Sequence, residues 1–396
     1  MKNKEIVIPD YKGGSIVNLM SSIGNAVGYK KGHKSKYVEL RALGSKELKK
    51  YKNIVLMIID GLGYEYIKEK GRDSFLDKNM KGSMTSVFLS TTACAVTAFL
   101  TGIAPQQHAY TGWFVNLKEL GLVSRILLFS PRVGDEPFSK QGVEVKDILN
   151  VEGFASKIKS KSYAVSPRKI INSDFNNHIL KNSKEVVYDN LNGFFNQTKK
   201  AIKSSNSRKY INSYWLEFDE SSHKNGVNSK DSKNLFKKFD KGLKKFVDSI
   251  KGTNTLLIIS ADHGFIDTPL KKNIMLEDHP QLKECLTTCL CGDARTVYCY
   301  VKPSKVKQFE KYIKTKFKKY CWMYKSEELV KKNMFGLFDL NPKLLDRIGD
   351  YTLICKENYV IMDRLLGEKK KNHLGHHAGI SKKEMLVPLV VIDTSN

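Results

Sequence analysis

The sequence predicts an α/β protein with a mostly parallel sheet flanked by helices on both faces, and a smaller α/β cap subdomain inserted into that core. Three observations predict it. Residues 53–59 (NIVLMII) are almost continuously apolar and end at Asp60-Gly-Leu-Gly. Residues 255–260 (TLLIIS) repeat the design and end at Ala261-Asp262-His263-Gly264. Amphipathic helical patterns lie between such runs. A strand with no polar face is buried on both sides, as in a parallel sheet covered by helices. Strands that alternate with helices build an open α/β sheet.

The elements follow in order. Ile16, Leu19, Met20, Ile23 and Val27 recur at helical spacing, so the lead-in over residues 1–50 contains a short helix. After the strand at 53–59, residues 93–100 (ACAVTAFL) suit a buried helix. Residues 121–150 carry no strong repeating pattern and read as a possible small insertion. A weaker strand at 214–218 (YWLEF) leads to Asp219. Over 232–250, Leu235, Phe236, Phe239, Leu243, Phe246, Val247 and Ile250 form one stripe opposite lysines. The cap is expected over 286–370, with a strand at 295–301 and a helix at 304–320 through Val306, Phe309, Ile313 and Phe317. Further strands follow near 351–355 and 359–362. Residues 385–392 (MLVPLVVI) return to a core strand, proline near its start. The core is therefore discontinuous, formed by 1–285 and 371–396.

Composition narrows the class. A chain of 396 residues, 41% hydrophobic, can bury a large core and excludes wholesale disorder. No apolar stretch reaches the roughly 20 residues that a bilayer span requires. The opening segment MKNKEIVIPDYKGGS has no signal-peptide apolar region. A cytoplasmic protein without a membrane partner is the expectation. Seven cysteines, an odd number set mostly in apolar runs, do not make a disulfide framework. Cys285, Cys289 and Cys291 form C-x3-C-x-C without a CxxC knuckle, which favours buried thiols over a metal site. The 67 Lys+Arg against 41 Asp+Glu give a formal charge of +26, which favours anionic partners, small phosphates or nucleic acid. The lysines are spread along the chain, so a solvated lysine-rich surface explains them as well.

The acids carry the chemistry. Asp60, Asp219 and Asp262 each stand at the carboxyl end of an apolar run, the edge at which open α/β sheets bind ligands. One aspartate there is ordinarily a turn residue or a helix cap. Here two have histidines close by: Asp219 is followed by His223, and Asp262 by His263. His373, His376 and His377 add imidazoles near the end of the core. Carboxylate with imidazole suits zinc or a similar divalent ion, and six or seven such ligands suffice for two metals. Thr92 sits where Ser86-Val-Phe-Leu-Ser-Thr-Thr92 turns into a helix. There its hydroxyl faces anion-favouring amides, or serves as an ordinary N-cap.

In order, Asp60, Thr92, Asp219 with His223, Asp262-His263 and His377 resemble the set of the alkaline phosphatase superfamily, most closely the type I phosphodiesterase/nucleotide pyrophosphatase family. Phe88-x-Ser90-x-Thr92, followed by Thr101-Gly102, looks like the family's nucleophile motif. Asp219-x3-His223 and Asp262-His263-Gly264 look like its metal motifs, and His377-x-Gly379-x-Ser381-x2-Glu384 like its closing motif. The resemblance spans about 53–112, 214–268 and 373–392. It implies an alkaline-phosphatase-like core and two divalent ions, zinc first, with manganese or magnesium as alternatives. One ion is held by Asp60, Thr92, Asp262 and His263, the other by Asp219, His223 and His377. Thr92 attacks phosphorus, and the phosphothreonine is then hydrolysed. An aromatic that follows the nucleophile in many nucleotide pyrophosphatases is here Ala93. Tyr110, Trp113 and Phe114 are candidates to replace it as a platform for a base, with core packing as the alternative. Arg295 is a candidate cleft residue from the cap, with a solvated or structural role as the favoured alternative. The implied substrate is a small phosphoester or nucleotide. The alternatives are a phosphomonoesterase or phosphomutase of the same superfamily and, in another class, a nucleic-acid-binding protein with a degenerate hydrolase core.

Overall fold

A run of seven residues without a polar face has to be covered on both sides, and Asn53–Ile59 (β1) is buried at every position. The computed structural model describes residues 6–368 and 372–395. Around β1 it assembles a seven-stranded sheet from Met80–Thr85 (β2), Lys161–Pro167 (β3), Ser183–Tyr188 (β4), Lys209–Trp215 (β5), Thr255–Ser260 (β6) and Leu386–Asp393 (β7). The spatial order is β2-β7-β6-β1-β5-β3-β4. β1 pairs in parallel with β5 and β6, and β3 in parallel with β5 and β4. β7 runs antiparallel between β6 and β2. Pro388 is tolerated inside the sheet because pairing with β6 begins only at Val390. At the proline the strand has a neighbour on one side alone.

The helices that matter for the site are Thr92–Thr101 (α1), Glu217–Asn225 (α2) and Lys230–Ser249 (α3). α1 is apolar all round and buried apart from Thr92 itself, which is half-buried. α3 buries Phe236, Phe239, Leu243, Phe246 and Val247 along the stripe read from the sequence. The lead-in helix is Ile16–Val27, with the five apolar positions of its pattern all buried. The strand expected at 214–218 is displaced. It ends at Trp215, and α2 starts at Glu217, which puts Asp219 in the first turn of a helix rather than at a strand end. Three acids there, Glu217, Asp219 and Glu220, suit the positive end of a helix.

A second seven-stranded sheet lies outside this core, in the order Cys321–Lys325, Tyr351–Cys355, Thr296–Cys299, Cys291–Asp293, Phe114–Leu117, Leu122–Arg125, Ser130–Pro131. Its pairs are antiparallel. The segments set apart as an insertion at 121–150 and a cap at 286–370 thus share one sheet, joined where Gly292 faces Phe114. That hairpin opens before 121, inside the stretch assigned to the core. The expected boundary at 370/371 lies outside the described residues. Helix Val306–Tyr312 and the π-helical turn Ile313–Phe317 bury Phe309, Ile313 and Phe317 against Tyr351 and Leu353, a separate small core. Cys285 and Cys291 are buried thiols and Cys289 is half-buried. Among the described residues no helix is long and apolar enough to cross a membrane.

Candidate active site

The motif glycines bring the donors together. A Cβ on Gly63 would stand 2.8 Å from the Cα of Gly264, so the turn after β1 and the turn after β6 touch through backbone alone. This sets Asp60 beside Asp262. Asp262 Oδ1 accepts the amides of Gly61 and His263, each at 3.0 Å, and its Oδ2 is left without a partner. Asp60 Oδ2 accepts the hydroxyl of Tyr214, while Oδ1 is unpartnered. Both carboxylates are buried, with 3% exposure for Asp60 and 0% for Asp262. His263 Nε2 lies 3.4 Å from Asp60 Oδ1, 3.4 Å from Asp262 Oδ2 and 3.1 Å from the Thr92 hydroxyl.

A second group adjoins the first. The i, i+4 spacing on α2 puts His223 Nε2 at 3.5 Å from Asp219 Oδ1. His377 Nε2 stands 3.1 Å from His223 Nε2 and 3.9 Å from Asp219 Oδ1. The rings of His377 and His263 stack at 3.8 Å, which ties the two groups together. His223 Nδ1 lies 2.9 Å from the Gly375 carbonyl and His263 Nδ1 lies 3.2 Å from the Gly264 carbonyl. A carbonyl only accepts, so each Nδ1 carries the proton and each Nε2 turns a lone pair inward.

Burial, then the neighbouring carboxylates, pushes Asp60 and Asp219 well above the usual aspartate range. Burial, then the other imidazoles, pushes His223 and His377 down. Acids and bases shifted toward neutrality, with inward oxygens that meet nothing, are the signature of a site built for cations. The donor geometry fits. Ligands about 2.0–2.1 Å from a tetrahedral ion stand about 3.3 Å from one another. Asp60, Asp262 and His263 form one candidate group and Asp219, His263 and His377 another.

The sequence model of the type I phosphodiesterase/nucleotide pyrophosphatase family matches residues 54–379. The chain belongs to this family. It is thereby a phosphodiesterase/pyrophosphatase-type hydrolase of the alkaline phosphatase superfamily. The family generally uses divalent metals. No curated protein matches the chain in sequence. Solved structures share its fold: murine ectonucleotide pyrophosphatase/phosphodiesterase 5 is 17% identical, with a TM-score of 0.64 over 86% of this chain and 89% of that one. An inactive threonine-to-alanine form of that murine protein, in complex with AMP, gives 16% identity, a TM-score of 0.64 and the same coverage. The human counterpart gives 15%, with a TM-score of 0.62 over 85% and 87%.

The seven positions read from the sequence as metal and nucleophile residues, Asp60, Thr92, Asp219, His223, Asp262, His263 and His377, are thus brought into one place in this family member. Three of the four substrate candidates, Tyr110, Phe114 and Arg295, are not. Tyr110 is fully buried against Phe175 in the core, which leaves it no face for a ligand. Phe114 is taken up by the sheet and by Arg132, whose guanidinium lies 4.3 Å from its ring centroid. Trp113 is half-buried and its amide donates to Asp293. Arg295 is 1% exposed and pairs with Glu384 at 3.0 and 3.1 Å, because a buried carboxylate requires a counter-charge. Glu384 also accepts the Gly379 amide at 2.8 Å and the Ser381 hydroxyl at 2.6 Å. The closing motif therefore shapes the loop that carries His377. An open cleft of about 390 Å³ beside the donors is lined by Asp219, Glu220, His223, Lys224, Asn372 and His373. The sequence reading missed Tyr214, which holds Asp60, and Asp293, which accepts the hydroxyl of Thr91 at 2.7 Å and is pushed by burial up to about 6. Neither stands in a motif.

Proposed function

We propose that the protein is a two-metal phosphodiesterase or nucleotide pyrophosphatase whose nucleophile is Thr92. The observation that carries the reading is the Thr92 hydroxyl, 3.1 Å from His263 Nε2, at the first turn of α1 and at the edge of the donor group containing Asp60 and Asp262. Asp60, Thr92, Asp262 and His263 would hold one ion and Asp219, His223 and His377 the other. Mixed nitrogen and carboxylate donors favour zinc, with manganese or magnesium as alternatives. When bound, the ions would lower the pKa of the hydroxyl and screen charge on the transferred phosphoryl group.

The chain's own groups do the rest. Thr92 Oγ1 forms the new P–O bond as the bond to the leaving oxygen breaks, giving a phosphothreonine. Water then attacks that phosphorus, releasing the acid and restoring the hydroxyl. The amide end of α1 favours the anion, and the Nδ1–H bonds of His223 and His263 keep both rings in one tautomer. The murine structural neighbour bound to AMP supports a nucleotide-like substrate, and its inactivation by a threonine-to-alanine change supports the nucleophile.

The test is hydrolysis of bis-p-nitrophenyl phosphate against p-nitrophenyl phosphate by wild type and Thr92→Ala, with added Zn²⁺ or Mn²⁺ and an EDTA control. Chelator-sensitive diesterase activity lost in Thr92→Ala is expected. A monoester preference would point to a phosphomonoesterase. No cleavage of either ester with metal bound would sink the reading.

A further inference from the structure

Four helices among the described residues are capped in the ordinary way, the side chain of Ser74, Ser173, Asn190 or Ser229 accepting an amide of its own first turn. Thr91 is the N-cap residue of α1, with extended backbone at φ −140° and ψ 152°, and it does not do this. Its hydroxyl is turned the other way and donates to Asp293 Oδ2 at 2.7 Å. The Thr91 carbonyl takes the amides of Cys94 and Ala95 at 3.1 and 2.9 Å. The amides of Thr92 and Ala93 meet no acceptor among the described residues. The hydroxyl of Thr92 stands 3.1 Å from His263 Nε2, which in turn lies 3.4 Å from Asp60 Oδ1 and from Asp262 Oδ2, two buried oxygens that lack a hydrogen-bond partner.

Asp293 is well placed to hold that hydroxyl. It ends the strand Cys291–Asp293, whose Gly292 faces Phe114, so its position is set by the second sheet and not by α1. It also takes the amides of Ala294, at 3.3 Å, and Trp113. Its charge is felt at Asp219, which puts it within the field of the donor groups though in neither of them.

We infer that Asp293 is a positioning residue of the active site: by drawing the Thr91 hydroxyl away from α1, it keeps the amides of Thr92 and Ala93 free to donate to a phosphoryl oxygen of the substrate. The inference rests on the proposed reading of Thr92 as nucleophile. An N-cap threonine released from Asp293 would swing onto the Ala93 amide, and the substrate would lose that donor. Charge grows on the phosphoryl oxygens toward the transition state, so the loss falls on kcat more than on KM.

The experiment compares wild type, Asp293→Ala, Asp293→Asn and the double variant Thr91→Val/Asp293→Ala, each with bound metal quantified. Two readouts are taken: kinetics on bis-p-nitrophenyl phosphate, and binding of inorganic phosphate by calorimetry. Asp293→Ala should lower kcat at least about tenfold and weaken phosphate binding at unchanged metal content, removal of one such donor being worth up to about 10²–10³. Asp293→Asn, whose amide oxygen still accepts from Thr91, should keep most of the activity. The double variant has no hydroxyl to swing back and should recover most of what Asp293→Ala lost. Asp293→Ser replaces Asp293→Ala if the latter does not fold, with the same expectation. A double variant no better than Asp293→Ala, or an Asp293→Ala with wild-type kcat and phosphate affinity, overturns the inference. Wild type that holds metal and phosphate but does not cleave the ester refutes the nucleophile reading instead, and the phosphate titrations still decide the role of Asp293.

Discussion

Replacing Arg295 by methionine tests whether this arginine is scaffold or substrate contact. Its guanidinium is 1% exposed and faces Glu384, 0% exposed, across two bonds of 3.0 and 3.1 Å. Burial pushes the Glu384 carboxyl up, and Arg295, with the Ser381 hydroxyl and the Gly379 amide, outweighs that, so the net shift is downward. Taking away one partner of such a pair leaves an uncompensated buried charge, at about 3–5 kcal/mol. An unfolding entropy of about 2.1 cal/mol/K per residue over 396 residues converts this to a fall in Tm of about 4–6 °C. The pH dependence has a definite sign. Without Arg295 the folded-state pKa of Glu384 rises above its unfolded value. Its contribution is then intact in acid and is lost as pH rises through the new folded pKa. Calorimetry should find the deficit largest at neutral pH and shrinking toward pH 4, with KM for bis-p-nitrophenyl phosphate unchanged. A variant with wild-type Tm and a raised KM would refute this reasoning and return Arg295 to the cleft.

Further outcomes are expected at the donors. Tyr214→Phe removes the hydroxyl that holds Asp60, and should weaken metal binding about 10–100-fold in a competition titration with a chelator. Because Asp60 and Asp219 are raised and His223 and His377 lowered, the metal-free carboxylates hold their protons to higher pH than free aspartates do, and the imidazoles stay neutral to lower pH than free histidines. Metal uptake should therefore release protons, seen as a buffer-dependent heat in calorimetry, and affinity should rise with pH. The same raised carboxylates destabilise the metal-free fold as pH rises, so chelation should lower Tm more at pH 8 than at pH 6.5. Lys157, which donates to the Thr101 carbonyl at 3.0 Å, is lowered by burial to about 8. Its folded pKa lies below the unfolded one, so stability should rise between about pH 8 and 10, and Lys157→Met should flatten that rise.

What could be read from the sequence follows from what periodicity records. β1 and β6 announce themselves because each is a short, fully buried run rich in β-branched and large apolar residues that ends at an Asp-containing turn. The acids and histidines that follow them are visible because their types and spacings are tied to local backbone. Asp219 was misplaced by a few residues since an apolar run does not say where a strand yields to a helix, although its partnership with His223 survives as an i, i+4 pair. Three substrate candidates failed for a different reason. Tyr110, Phe114 and Arg295 were singled out by side-chain chemistry, and burial decides whether that chemistry faces a ligand. Burial here depends on the pairing of Phe114 with Gly292, which brings together segments far apart in sequence. Tyr214 and Asp293 were invisible on the same ground, each acting through a partner that only the fold supplies.

The placement of β7 bears on how the protein comes into being. This strand wedges between β2 and β6, both encoded well before it, and the loop just ahead of it delivers His377. On the ribosome, Asp60, Thr92, Asp219, His223, Asp262 and His263 all emerge while the sheet still has a gap where β7 belongs. A nascent chain in that state exposes two unpaired strand edges and an incomplete set of donors. Insertion of β7 seals the edges and completes the donors in one event. Of the two proposed ions, the one assigned to Asp219, His223 and His377 would therefore find its full donor set only in chains whose synthesis has passed His377.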